Sequence, residues 1–210
     1  MIMEPLVISF YTVGTPYEEE VKRLIDSCIE FGIEADIVGV NPQGSWEKNC
    51  ALKPFFILQK LKEWDRPVLW VDADAAFKQR PNFQDFKECD FAVRLNEFLP
   101  KNHESRIISN TIFARNNEAG TAVLEEWCKL TEKELSKEGR IMEFWDQATL
   151  RDALSLFSNL HFLPMPLKYS KIFDFDDLFI ADSEVVIEHY QASRRHKRKV
   201  HAAAQNHCCH

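Results

Sequence analysis

A chain of 210 residues, 45% of them hydrophobic, is long enough for one domain with a substantial core. Its formal net charge of −7 makes it a poor candidate for general nucleic-acid binding. No apolar run approaches the roughly 20 residues that a membrane-spanning helix needs, so we expect no transmembrane segment.

The first third of the chain alternates between strand patterns and helix patterns. Short apolar runs predict strands, and apolar residues that recur at intervals of three and four predict helices. The predicted order is a strand at 6–11, a helix between Pro16 and Gly32, a strand at 33–40, a helix at 54–64 and a strand at 68–71. Strands that alternate with helices indicate a parallel α/β sheet with right-handed crossovers.

The remaining two thirds continue this pattern less regularly. Strands are predicted at 91–95, 107–114 and 185–189, and helices at 118–135 and 145–157. Residues 164–177 contain two prolines and three acidic residues, which predicts an irregular loop. The chain shows no internal repeat and no linker, so we expect a single domain over residues 1–197.

The C-terminal end differs in charge from the rest of the chain. Residues 193–210 contain five basic residues and no acidic residue. We expect residues 198–210 to form a flexible basic tail. Such a tail fits a diphosphate, contact with an anionic membrane surface, or solvent alone.

Cysteine usage indicates the cellular compartment. Cys28, Cys50, Cys89 and Cys128 are scattered through helical or apolar sequence, with no CxxC pair, and are predicted to be free thiols. Free thiols are typical of a reducing compartment. Because Glu4 and Pro5 also interrupt any N-terminal signal pattern, we predict a cytoplasmic location.

The most informative motif is a strand that ends in two carboxylates. The apolar run Val68–Val71 is followed at once by Asp72-Ala73-Asp74. In an open α/β sheet, ligands bind just beyond the carboxyl ends of strands. Two carboxylates so close repel each other unless a cation lies beside them, and oxygen ligands suit Mg²⁺ or Mn²⁺. The simpler interpretation is that both side chains end a turn and face water.

Four segments in chain order resemble the glycosyltransferases of the GT-A fold that carry a DxD metal motif. They are closest to the retaining galactosyltransferase and glycogenin group, glycosyltransferase family 8. The resemblance is carried by residues 72–74, 109–115, 145–147 and 189–195. It implies a nucleotide-diphospho-sugar transferase fold, with a central, mostly parallel mixed sheet flanked by helices.

The resemblance also implies a metal centre and catalytic residues. Asp72, Asp74 and His189 would hold Mn²⁺ or Mg²⁺, and Asp146 and Gln147 would face the reacting sugar carbon. The anomeric configuration would be retained. For Asp146, a helix N-cap is the structural alternative.

A nucleotide-sugar, in such enzymes commonly a UDP-sugar, would be the donor, and the acceptor would be an unknown glycan, lipid or protein. The residues that the resemblance places against the donor are Tyr11, Thr12, Tyr17, Lys53, Asp72, Ala73, Ser109, Asn110, Thr111, Arg194, Arg195 and Lys197. Two positions depart from the family pattern, because Ala192 stands where glycine is usual and Arg195 where lysine is usual. Tyr17 also fits a helix core position, Lys53 an ordinary surface lysine, and residues 109–111 an ordinary strand start.

Two other classes of protein fit the same sequence. Haloacid-dehalogenase phosphatases also place a DxD after an apolar strand, with the first Asp as nucleophile, but their motif lies near the N-terminus. A module of the same fold that binds a nucleotide or glycan without turnover is the second alternative. A substrate panel of phosphomonoesters and nucleotide-sugars separates these classes.

Overall fold

The computed structural model describes residues 3–137 and 146–195, in which strands and helices alternate along the chain. The strands are β1 (Leu6–Thr12), β2 (Ala35–Val40), β3 (Val68–Val71), β4 (Ala75–Phe77), β5 (Phe91–Leu95), β6 (Ile107–Ala114), β7 (Phe162–Pro164), β8 (Lys171–Ile172) and β9 (Ile187–His189). The α-helices are α1 (Tyr17–Glu30), α2 (Trp46–Ala51), α3 (Lys53–Trp64), α4 (Glu118–Leu135) and α5 (Asp146–Leu154). Lys197 and the predicted basic tail lie outside these residues.

The central sheet has six strands in the order β2-β1-β3-β6-β5-β7. β1 pairs in parallel with β2 and β3, and β5 pairs in parallel with β7. Only β6 runs against its neighbours, since it is antiparallel to β3 and β5. The predicted fold class, an α/β domain with a mostly parallel central sheet flanked by helices, is confirmed.

Both faces of the central sheet are covered, which explains the fully apolar sequence of β3. Val68 and Trp70 face a core that includes residues of α3 and α4, while Leu69 and Val71 face a core that includes residues of α1. All four are buried. Strands buried on both faces have continuous apolar sequences rather than alternating ones.

A second, three-stranded sheet has the order β4-β9-β8, and of its strands the sequence predicted only β9, within 185–189. β4 begins directly after the DxD motif, and it pairs antiparallel with β9 so that Ala75 lies opposite His189. β8 pairs in parallel with β9 and lies inside the segment predicted to be an irregular loop. This small sheet joins the C-terminal region to the end of β3.

The cysteines and the helices of the described residues can be compared with the sequence predictions. Cys28, Cys89 and Cys128 are buried free thiols, and Cys50 is a half-buried one. None of the helices in residues 3–137 and 146–195 has the length and apolar character required to span a bilayer.

Candidate functional site

Polar residues from several strands meet at one edge of the central sheet. β1 and β3 end there, and the antiparallel direction of β6 brings Ser109 and Asn110 to the same edge. The backbone N–H of Asp72 donates to the carbonyl oxygen of Asn110 over 2.9 Å. A cleft of about 350 Å³ opens at this edge. This is the position where open α/β sheets bind ligands.

Asp72, Asp74 and His189 converge beside the cleft. Each offers a ligand atom, and the three atoms lie within 4.8 Å of one another. The pairing of β4 with β9 produces this arrangement, because it places His189 opposite Ala75, the residue after Asp74. Two carboxylate oxygens and one imidazole nitrogen are a donor set that Mn²⁺ and Mg²⁺ accept.

His189 has the orientation and protonation state of a metal ligand. Its Nε2 lies 2.8 Å from Thr111 Oγ1, and its Nδ1 has no hydrogen-bond partner in the described structure although it is buried. Burial lowers the pKa of the imidazole to about 3, with smaller contributions from the charges of Lys53 and Arg94. His189 is therefore neutral near pH 7, with one nitrogen fixed by a hydrogen bond and one lone pair unused.

This buried neutral imidazole predicts a pH-dependent stability of the metal-free protein. Because the folded pKa of His189 is depressed from 6.5 to about 3, the unfolded chain takes up the proton first as pH falls. The contribution of His189 to the free energy of unfolding should therefore decrease between about pH 6.5 and pH 3, by up to roughly 1.4 kcal/mol per pH unit, whereas the pKa of the Asp72 carboxyl, raised to about 6, contributes in the opposite direction. Urea unfolding in EDTA at pH 7, 6 and 5 measures the slope. His189→Gln should flatten it.

A matched control is His161→Gln, because the side chain of His161 is largely exposed. That substitution should leave the pH dependence of unfolding nearly unchanged. Equal slopes for the wild type and His189→Gln would contradict a buried, neutral His189.

Asp74 is held by the C-terminal segment. Its carboxylate Oδ2 accepts from the backbone N–H of Ala192 over 2.6 Å, and its carbonyl oxygen accepts from Tyr190 N over 2.9 Å. Between these two residues Gln191 has a φ of 51°, in the left-handed region that non-glycine residues seldom adopt. Burial raises the pKa of the Asp74 carboxyl, although the Ala192 N–H stabilises its charged form. The chain thus turns sharply to close over the DxD motif.

Lys53 joins two acidic residues of the site. Its Nζ lies 3.0 Å from Asp72 Oδ1, 2.9 Å from Asp146 Oδ2 and 3.2 Å from the carbonyl oxygen of Ser109. Burial lowers the pKa of this ammonium, but Asp146 and Asp72 more than offset the effect, so the pKa is raised. The alternative of an ordinary surface lysine is wrong, because Lys53 is buried.

Asp72 keeps one side open to the cleft. Its side chain is 32% exposed, and its Oδ1 also accepts from Trp70 Nε1 over 2.9 Å. Burial raises the pKa of the Asp72 carboxyl to about 6, while the Lys53 ammonium lowers it. One oxygen is therefore anchored by the protein while the other remains for a ligand.

Asp146 and Gln147 lie in the first turn of α5 and line the cleft. The carboxylate of Asp146 accepts from Ser109 Oγ over 2.7 Å, and its carbonyl oxygen accepts from Trp127 Nε1 over 3.1 Å. Asp146 is itself a helical residue of α5 and therefore not the N-cap, and its side chain binds Lys53 and Ser109. Trp145, which precedes it, lies outside the described residues.

Most other residues assigned to donor binding line the same cleft. These are Tyr11, Thr12, Tyr17, Lys53, Asp72, Ala73, Ser109, Asn110 and Arg194. Two lie beside it instead. Thr111 is buried against His189, and Arg195 pairs with Glu20 at 2.9 Å. Lys197 is outside the described residues.

Sequence reasoning missed several residues of the cleft. Trp46 and Asn49 come from α2, a six-residue helix whose only clear signal was Ser45, which accepts from Lys48 N as an N-cap. Gln191 and Ser193 enter through the turn that closes over Asp74, and Phe175 through the segment predicted to be irregular. None of these positions belongs to a helix or strand long enough to show periodicity.

The fold is that of known glycosyltransferases. The chain superposes with a TM-score of 0.64 on a glycosyltransferase involved in the glycosylation of the major capsid of PBCV-1, at 12% identity over 89% of this chain and 93% of that one. The glycosyltransferase GlyE of Streptococcus pneumoniae TIGR4 gives a TM-score of 0.55 at 15% identity, over 90% of this chain and 54% of that one. No protein-family model and no curated protein sequence matches the chain.

Proposed function

We propose that this protein transfers a sugar from a nucleotide-sugar, a UDP-sugar in the first instance, to an acceptor with the help of Mn²⁺ or Mg²⁺. The observation that supports this proposal is the convergence of Asp72, Asp74 and His189 beside a cleft in a glycosyltransferase fold. His189 lies more than a hundred positions after the two aspartates in sequence, and a bound metal would account for their convergence. The buried free thiols are consistent with a cytoplasmic protein, which we also propose.

The donor set fits a divalent cation. Two carboxylates in close proximity need a positive partner, and the Nδ1 of His189 is buried with no partner in the described structure. A cation held there would neutralise the charge that develops on the departing diphosphate. Arg194, which also lines the cleft, would add a bidentate contact to the phosphates.

Other residues suit the nucleoside and the sugar. Tyr11 and Tyr17 line the cleft with aromatic rings on which a base can stack. The side-chain oxygen of Asn110 accepts from Ser170 Oγ over 2.5 Å, while its buried Nδ2 has no partner in the described structure. An amide fixed in this way has a donor available for a sugar hydroxyl.

Asp146 is the residue we propose to stabilise the positive charge at the reacting sugar carbon. Its carboxylate is anchored by Lys53 and Ser109, so it needs no reorganisation when that charge develops. Gln147, next in the same helical turn, would bind the sugar or the acceptor. We propose transfer with retention of configuration, as in the family 8 enzymes that the sequence resembles.

The two alternatives have less support. In the phosphatase class the first Asp of the motif attacks phosphorus, whereas here Asp72 Oδ1 is held by Trp70 and Lys53 and the motif follows the third strand. The glycosyltransferase fold also does not favour that class. A binding module without turnover would share the whole site and is separated by an activity assay.

The first experiment is a calorimetric titration of the full chain with UDP, with Mn²⁺ and with EDTA, followed by incubation with a panel of UDP-sugars. We expect Mn²⁺ to tighten UDP binding, and slow release of UDP from at least one donor. A UDP affinity that is the same in Mn²⁺ and in EDTA would contradict the metal site. Binding without turnover would identify a non-catalytic module, and hydrolysis of p-nitrophenyl phosphate a phosphatase.

A further inference from the structure

We propose that an exposed apolar surface beside the cleft binds a neutral saccharide as the acceptor. This surface, which we call the aromatic rim, consists of Phe98, Phe175, Leu178 and Phe179. Phe98 is 81% exposed and Leu178 is 93% exposed, and the other two are also exposed. Contiguous apolar surface rimmed by polar groups marks a binding site more often than chance exposure does. The role of the saccharide as acceptor rests on the proposed function, whereas saccharide binding does not.

The aromatic rim is continuous with the cleft. Phe175 belongs to the rim and also lines the cleft, as do Asn96 and Ile172. At the outer end, the rings of Phe98 and Phe179 contact each other with centroids 6.0 Å apart. A molecule lying on the rim would therefore reach from solvent into the cleft.

Buried ion pairs hold the rim segment in place. Asp176 is fully buried, where Arg94 donates to both of its carboxylate oxygens over 2.6 and 2.7 Å and Ile172 N donates over 2.7 Å. Lys171, also buried, pairs with Asp177 at 2.9 Å and Asp182 at 3.0 Å. The Asp176 side chain points inward, whereas the neighbouring Phe175, Leu178 and Phe179 are exposed. An apolar surface fixed in this way is preorganised for a ligand.

The charge around the rim selects the kind of ligand. Residues 173–184 contain five acidic residues and no lysine or arginine, and four of the five acids are paired with Arg94, Lys171 or Arg194. Anionic lipid surfaces, phosphates and nucleic acids are attracted by basic segments, so this one disfavours them. A neutral sugar ring offers an apolar C–H face to an aromatic ring, and hydroxyl donors to carboxylates such as Asp174 and Asp177. Rings interspersed with acids match that chemistry.

The test measures binding to the full chain by saturation-transfer NMR with maltotriose, lactose and triacetylchitotriose. We expect transfer to at least one of them. The double substitution Phe98→Ser and Phe179→Ser should weaken that binding roughly tenfold, which corresponds to about 1.4 kcal/mol. Ile29→Ser, which changes an exposed apolar residue at the far end of α1, should have no effect. UDP affinity and circular dichroism of the same samples show that each variant is folded.

Several results would overturn the proposal. They are no transfer to any of the three oligosaccharides, equal transfer to the double variant, or binding to phosphatidylcholine–phosphatidylglycerol vesicles that the double substitution abolishes. A dimer in sedimentation that the double substitution dissociates would assign the rim to a second copy of the chain. If the wild type does not bind UDP but does bind a saccharide through the rim, the proposed function is rejected and the saccharide site stands.

Discussion

Asp74→Asn is expected to reduce metal-dependent turnover of the donor by roughly 10²- to 10³-fold, the loss typical when one electrostatic contact to the developing charge is removed. Asparagine keeps an oxygen that can accept from Ala192 N, so the turn over the motif should persist. It lacks the negative charge with which Asp74 would bind a divalent cation tightly. The measurements are the rate of UDP release with saturating Mn²⁺ and the Mn²⁺ affinity by electron paramagnetic resonance.

The control for this substitution is Asp152→Asn, which removes the charge of an exposed acid paired with Arg151. That variant should retain wild-type turnover and wild-type Mn²⁺ affinity. If Asp74→Asn binds Mn²⁺ as tightly as the wild type and releases UDP as fast, the acidic pair is a structural turn and the metal proposal is wrong.

The sequence predicted the first half of the fold well because its elements are long or strongly patterned. β3 is buried on both faces, so its apolar run was a reliable strand signal, and Gly32, with a φ of 60°, stands just past the end of α1. The small sheet escaped prediction because β4 has three residues and β8 has two, so that only its strand β9, inside the predicted strand at 185–189, was recognised. Segments this short show no period, and only their pairing partners define them.

The residues of the candidate site also divide into those that a local sequence pattern predicts and those that only tertiary pairing brings together. Asp72 and Asp74 were recognisable locally, because a buried strand ending in two carboxylates places them at a ligand-binding edge. No local pattern connects them to His189, which comes within reach only through the pairing of β4 with β9. Family resemblance supplied that connection where periodicity did not. Neither argument indicated that Lys53 would join Asp72 to Asp146, since that contact depends on how α3 and α5 pack.

The buried position of Lys53 leads to the second large expected effect. Lys53→Met should lower the free energy of unfolding by about 3–5 kcal/mol, the range for removing one partner of a buried ion pair. Methionine fills much of the same space but leaves the carboxylates of Asp72 and Asp146 facing each other without a cation. Urea unfolding at pH 7.5 in EDTA measures this loss. Because a bound cation would restore part of the missing positive charge near Asp72, added Mn²⁺ should recover some of the stability.

Lys62→Met is the matched control, because Lys62 lies on the same helix and pairs with Glu125 at an exposed position. An exposed pair contributes at most about 1 kcal/mol, so this variant should unfold almost like the wild type. Combining Lys53→Met with Asp146→Asn should lower stability by less than the sum of the two single effects, since the second change removes a charge that the first left unpaired. Additive losses would mean that Lys53 and Asp146 do not form the ion pair beneath the cleft, and Asp146 would then lack the anchor on which its proposed role depends.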